Sequence, residues 1–262
     1  MDCDPQQRSL LFRDRSAKRY WWHTGPGAPA FIPPVYSSLS DDEWNLVAAW
    51  FEETERLNLA GECQVPLMSV MQGLIMGSQV RSIVQAGHYA GYSTLLVGFM
   101  LRRMGFRRSL FTIDIDRMSC DFTASWVERA GLLEYVHIEQ RDSADPSLPG
   151  LAEQYFGEAP RLVFIDSAHT YGQTRRELEL WFPRLCPGGF LICHDSSAFA
   201  AAFDSTGQGG VVRAVTEWKA EHPEAQCMAI SGPTTFPGRD AVYEDVCGAF
   251  LAQKPGPARG SP

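Results

Sequence analysis

From Arg81 to Cys193 short apolar runs alternate with stretches of helical periodicity, a rhythm that few folds accommodate. The runs are Arg81 to Gln85, Leu110 to Ile113, Tyr135 to Glu139, Leu162 to Ile165 and Phe190 to Cys193. Leu162-Val163-Phe164-Ile165 is apolar throughout, as a strand buried on both faces must be. Helical patterns cover Tyr92 to about Met104, Met118 to Ala130 with Gly131 in the usual C-terminal position, and about Tyr171 to Leu185. The last of these stops at Pro187-Gly188-Gly189. Such alternation predicts an α/β fold, a parallel sheet with helices on both faces. Its end departs from the rhythm: a helix at about Val211 to Glu221 precedes runs near Gln226–Ile230 and Val246–Ala252, which fit a closing antiparallel hairpin.

The N-terminal part reads differently. Gly25 to Pro34 is too rich in Gly and Pro for a regular helix. Ser40 and Glu43 then form a capping-box pattern for a helix from Asp41 or Asp42 to about Leu57, with Trp44, Val47, Ala48 and Phe51 at helical spacing. A second helix is predicted over Pro66 to Met76. We therefore expect a helical extension over 1–62, a main domain over 63–254 and a disordered Pro/Gly/Ser-rich tail over 255–262. The aromatics Tyr20, Trp21, Trp22, Phe31 and Tyr36 suit either a lid or ordinary packing.

Charge narrows the partners. The formal net charge of -8 and the lack of a basic stripe argue against nucleic acid, and Arg102-Arg103 and Arg107-Arg108 read as solvated helix ends. Seven scattered cysteines without a Cys-x-x-Cys pattern argue against a disulfide framework or a zinc ribbon. With no long apolar stretch and no signal-peptide pattern, a cytoplasmic protein without membrane partners is expected.

Chemistry concentrates where the runs end. Gly87 and Gly91 lie four apart in Gln85-Ala86-Gly87-His88-Tyr89-Ala90-Gly91-Tyr92-Ser93, directly between a strand and a helix. The first glycine permits a sharp turn and close approach of a ligand, and the second relieves crowding at the helix start. Free N–H groups there favour a carboxylate or phosphate. The spacing is not the Gly-x-Gly-x-x-Gly of nicotinamide dinucleotide sites, and taken alone it is also compatible with a plain tight turn. Asp114 ends the second run about 20 residues on, where a carboxylate accepts ribose hydroxyls. Asp142, in Arg141-Asp142-Ser143-Ala144, follows the third.

Asp166 ends the fourth run and Asp195 follows the fifth, so both reach the same sheet edge. Two carboxylates with an imidazole suggest a divalent metal site at Asp166, His194 and Asp195. His169, three residues past Asp166, titrates near neutrality and could take a proton; it could also cap the next helix or pair with Asp166. His194 is a second candidate base if no metal binds. The segment Asp204 to Gly210 suits a mobile gating loop or a flexible connector.

Together these motifs, with Thr112-Ile113-Asp114, Phe164-Ile165-Asp166-Ser167-Ala168-His169-Thr170-Tyr171 and Pro187 to Asp195, resemble the class I S-adenosylmethionine-dependent methyltransferases. The pattern is similar to catechol O-methyltransferase and to macrolide and macrocin O-methyltransferases, over roughly Cys63 to Lys254. The resemblance implies a Rossmann-like, seven-stranded, mostly parallel sheet in the order 3-2-1-4-5-7-6 with an antiparallel last strand. It implies S-adenosyl-L-methionine as cofactor, with Gly87 and Tyr89 along the methionine portion and Ser93 at its carboxylate. Asp114 would hold the ribose, and Ile115 and Ser143 would frame the adenine near Asp142. Gln85, His88, Gly91 and Asp166 complete the expected cofactor site. Gln85 stands where the family usually has an acid, and pulls less on the cofactor ammonium. The resemblance further implies His169 as general base and magnesium at the position of Asp166, His194 and Asp195. Magnesium prefers oxygen, so His194 points towards manganese or a similar ion, or towards a metal-free site. The expected activity is O-methylation of a small molecule, with a homodimer common in such families. The alternatives are a non-methylating step on a natural product, such as rearrangement, elimination or hydroxylation, and, disfavoured, a nicotinamide-dependent oxidoreductase.

Overall fold

A computed structural model describes residues 32–231 and 245–256. The expected aromatics at 20–31 and the connection at 232–244 lie outside the described residues, as does most of the expected tail.

The chain builds α1 (Pro34–Ser37), α2 (Asp41–Arg56), α3 (Val65–Gly77), β1 (Ile83–Ala86), α4 (Tyr92–Met104), β2 (Leu110–Asp114) and α5 (Arg117–Arg129). It continues with β3 (Val136–Gln140), α6 (Leu148–Phe156), β4 (Leu162–Ile165), α7 (Tyr171–Trp181), β5 (Phe190–His194), α8 (Gly210–Glu221), β6 (Gln226–Ile230) and β7 (Ala249–Gln253). The sheet order is β3-β2-β1-β4-β5-β7-β6, with β7 antiparallel to both neighbours. The fold is thus Rossmann-like, with the sheet order and the antiparallel last strand that the sequence led us to expect.

The order reverses at β1, between β2 and β4, so the crevice at the carboxyl ends of these strands is where an open α/β sheet binds ligands. Every residue of β1 and of β4 is buried, consistent with cover on both faces. One core lies on the α2, α3 and α4 side of the sheet and another under α7 and α8.

The helical extension belongs to the first of these cores. Ser40 and Glu43 form the reciprocal capping box, which starts α2 where the sequence pattern placed it. Trp44, Val47, Trp50 and Phe51 then bury one stripe of α2 with Tyr92 and Leu95 of α4. Glu43 also holds Arg102 and Arg103, at 2.8 and 2.7 Å. Those two arginines are therefore part of an ion-pair cluster between α2 and α4. Tyr36 is fully buried, its hydroxyl bonded to that of Tyr92, so it packs and does not form a lid. The sequence pattern missed α6, whose nine residues begin on Leu148-Pro149-Gly150. It also ran α7 too far, since Phe182–Arg184 tightens to a 3₁₀ turn at Pro183.

Candidate active site

A cavity of about 660 Å³ opens at the carboxyl ends of β1, β2 and β4. Gly87 makes the floor possible. Its φ is 84°, and a Cβ placed there would lie 2.1 Å from the Asp166 carbonyl oxygen of the adjacent strand end. Gly91, at φ 86°, caps α4 against Thr123, with no side chain covering the first N–H groups of the helix. That leaves a helix N-terminus able to take an anionic group beside the turn.

Asp114 reaches across from β2 to hold this turn. One carboxylate oxygen accepts the N–H groups of His88 (3.1 Å) and Tyr89 (2.9 Å), and the other accepts that of Asp116 (3.0 Å). Asp116 in turn caps α5 through Ser119. The acid read as a ribose ligand is also the clamp on the backbone that forms the cavity floor. His88 is buried under the turn with Cys120, and burial lowers its basicity despite the nearby Asp114. Ile115 is 70% exposed at the rim, an apolar face available to a planar group.

The structure brings Gly87, His88, Tyr89, Ser93, Asp114, Ile115, Asp142, Ser143, Asp166 and His169 to the walls of one cavity. Two other expected cofactor residues lie off it. Gly91 shapes the turn from behind. Gln85 is 1% exposed; its amide NH₂ donates to Ser93 Oγ (2.8 Å) and the Gly87 carbonyl (3.2 Å), while its oxygen accepts from Thr94 (3.0 Å). With every polar atom of its amide committed, Gln85 is an internal strut, which corrects its expected place beside a cofactor ammonium.

The β4–β5 end is densely charged. His169 Nε2 lies 3.1 Å from Asp195 Oδ2 and 3.6 Å from Asp166 Oδ1. Burial disfavours its cation, but Asp166 and Asp195 outweigh it and raise its pKa above the ordinary imidazole value. His194 Nδ1 lies 3.2 Å from Asp166 Oδ1 and 3.2 Å from Asp195 Oδ2, and its Nε2 is 3.3 Å from Asp245 but off the line of a hydrogen bond. Burial again opposes protonation, and Asp195 and Asp166 carry His194 well above its usual range. The same contacts hold the half-buried Asp166, raised by desolvation but lowered more by His194 and His169, well below the usual carboxylate range.

The expected ligand set Asp166, His194 and Asp195 lies together, with His194 Nδ1 facing both acids. His194 lies between the two carboxylates, and both favour its protonated form. A second group with ligand atoms close together is Asp166, His169 and Asp195, of which Asp166 and His169 line the cavity. An ion there would bind His169, the imidazole that stands on the cavity wall beside Asp166.

Tyr89, His169 and Asp195 are non-glycine residues at φ 45°, 55° and 56°, each just past the end of a central strand. Phe203, in the 3₁₀ turn Ala200–Phe203 after β5, lies 6.1 Å from the His169 ring, with Phe199 edge-on behind it. The loop at 204–210 is tied, since both Asp204 oxygens accept, from Thr206 N and Oγ and from Gln208 N and Gly210 N. This differs from the mobile connector or gate expected there.

Sequence reasoning missed the wall supplied by the α2–α3 connection, where Gly61, Glu62 and Cys63 face the cavity and Gly61 packs on the Tyr89 ring. It also missed Gln173 and Arg176 on α7. Periodicity carries no signal for the former. For the latter the signal was present, as a polar ridge at 173 and 177 on a helix that follows a strand-end acid.

Residues 84–196 match the family described as Methyltransferase domain. No curated protein matches the chain. Among solved structures, the chain is similar to the O-methyltransferase from Bacillus cereus in complex with SAH, at 20% identity and TM-score 0.61, covering 80% of this chain and 90% of that one. It is also similar to the O-methyltransferase TomG from Streptomyces achromogenes, involved in tomaymycin synthesis and crystallised with SAM. That match has 24% identity and TM-score 0.59, covering 86% and 96%. Cofactor-bound Rv0187 from MTB is similar over 98% of this chain and 100% of its own, at 17% identity and TM-score 0.64.

Proposed function

We propose that this chain, which carries a methyltransferase domain on a class I S-adenosylmethionine-dependent methyltransferase fold, methylates a hydroxyl group of a small molecule with His169 as general base. The supporting observation is that His169, oriented by two carboxylates, stands on the wall of the same cavity as the Gly87 turn.

The cavity fits the cofactor. The glycine cradle, the uncapped N-terminus of α4, the Asp114 carboxylate and the apolar Ile115 match in order a methionine, a ribose and an adenine. When bound, S-adenosylmethionine supplies an electrophilic methyl on a sulfonium.

The chain's own residues do the rest. With its Nε2–H held by Asp195 and Asp166, His169 takes the acceptor proton at the other ring nitrogen, Nδ1, and the two acids stabilise the resulting imidazolium. Asp166 and Asp195 also keep the ring aimed at the cavity, so the acceptor oxygen is held where its proton leaves. His194 offsets the charge of both acids, so they do not repel each other when His169 is neutral. The Phe203 face offers an apolar surface for the body of the acceptor.

Titration calorimetry with S-adenosylmethionine, S-adenosylhomocysteine and NAD tests the cofactor, with the first two expected to bind. Product analysis against a panel of phenolic and sugar hydroxyls tests the transfer. Binding without any methylated product would favour the non-methylating alternative, and NAD binding alone would overturn the proposal.

A further inference from the structure

We infer that Glu177 is a positioning residue for the cofactor's nucleobase, acting through Ser143, Ser167 and Gln173; the inference rests on the cofactor reading above. Glu177 has no exposed surface and does not face the cavity, yet it reaches three residues that do. Its Oε1 accepts from Ser143 Oγ and, at 3.3 Å, from the Gln173 amide, and its Oε2 accepts from Ser167 Oγ at 2.8 Å. One buried carboxylate thus ties the loop after β3 to the loop after β4, across the end of the cavity beyond Asp114.

Helix periodicity explains how. Gln173, Glu177 and Trp181 lie four apart on α7, along one ridge facing the sheet edge. Each holds the same short loop: Gln173 donates to Asp142 (2.8 Å) and Ser143 (3.0 Å), Glu177 accepts from the Ser143 hydroxyl, and the Trp181 indole donates to the Ser143 carbonyl (3.0 Å). A buried carboxylate is an unfavourable way to join two elements for stability alone, since apolar packing does it without desolvating a charge. Burial accordingly pushes Glu177 up to about 7 against the pull of its hydroxyl and amide donors. Its value lies in orientation. With both oxygens accepting, the hydroxyls of Ser143 and Ser167 are turned inward and their lone pairs and the Gln173 side chain are fixed at the cavity wall.

Glu177→Leu, nearly equal in volume, separates positioning from packing. It is expected to fold but to melt somewhat below the wild type, because Ser143, Ser167 and Gln173 lose an acceptor, while binding S-adenosylhomocysteine and 5′-methylthioadenosine about tenfold more weakly, the scale of a lost charged hydrogen-bond set. Turnover at saturating cofactor should fall less than affinity does, because Glu177 holds the loop of Asp166 and His169 only through Ser167. Glu177→Gln, which still accepts at one atom, is expected to recover most of the affinity. Wild-type affinity in Glu177→Leu, weakening of S-adenosylhomocysteine without methylthioadenosine, or failure of both Glu177→Leu and Glu177→Ala to fold would each overturn the inference. If wild-type protein binds neither ligand, the cofactor reading itself fails, a result distinct from all of these.

Discussion

The two ends of the cavity are built from different materials. At the β1–β2 end, the Gly87 turn and the Asp114 clamp make the site from backbone shape, and the buried Gln85 strut is neutral. At the β4–β5 end, His169 and His194 are interleaved with Asp166, Asp195 and Asp245. The first should respond chiefly to changes in volume, with Glu177 behind it as the group nearest neutrality. The second should respond to changes in charge and tolerate small changes in volume. A cofactor must be held in one pose, which shape does well, whereas a proton must be moved, which requires groups whose charge can change.

Gly87→Ala attacks the shape end most directly. Its Cβ would overlap the Asp166 carbonyl at a φ that disfavours side chains, so we expect S-adenosylhomocysteine binding to vanish in calorimetry and stability to fall by about 3 kcal/mol or more. A variant that binds normally would show that shape does not govern this end. His169→Ala attacks the charge end. Turnover should fall by about 10²- to 10⁴-fold with cofactor affinity within a few-fold, and unchanged turnover would remove the proposed base. Because the base must be neutral and its pKa is raised, wild-type turnover should climb with pH on a limb lying above the ordinary imidazole range.

His194→Asn tests the imidazolium between the acids. Leaving Asp166 and Asp195 facing each other should lower stability by about 3–5 kcal/mol, measured by denaturant unfolding. The pH signature has two limbs. The raised pKa of His194 contributes stability that is full below the ordinary histidine range and is lost as pH rises through its folded value. The lowered pKa of Asp166 contributes stability that is full above the ordinary Asp range and is lost as pH falls. A variant whose acid and alkaline limbs match the wild type would contradict the ion-pair reading. The smallest effect is expected of Gln85→Glu, which places there the acid usual in the methyltransferases the sequence resembles but points an oxygen at the Gly87 carbonyl. A loss of about 1–2 kcal/mol without tighter cofactor binding is expected, and a gain in affinity would mean that position 85 does reach the cofactor.

Much of this was legible in the sequence because strands ending in Gly or Asp leave a local imprint. Leu162–Ile165 and Gln226–Ile230 lie where the pattern put them, and so does the Ser40–Glu43 cap. Side-chain direction was not legible. Gln85 and His194 stand at the motif positions on which the resemblance rests, yet one turns inward to Ser93 and Thr94 and the other between two acids. Which way a strand-end residue points depends on what packs against it, and those partners lie far along the chain. The α2–α3 wall was hidden for the same reason: Gly61 matters only because Tyr89 lies against it.

The left-handed backbone at Tyr89, His169 and Asp195 has a consequence for anyone seeking a hardier protein. Each is a position where glycine would relax the chain, so a search for stabilising substitutions should be drawn to these three sites. At His169 and Asp195 the relaxed chain would lose the side chains proposed for proton transfer. At His169 thermostability and turnover are expected to move in opposite directions, whereas glycine at Asp195 also breaks the ion pairs to His169 and His194 and lowers both.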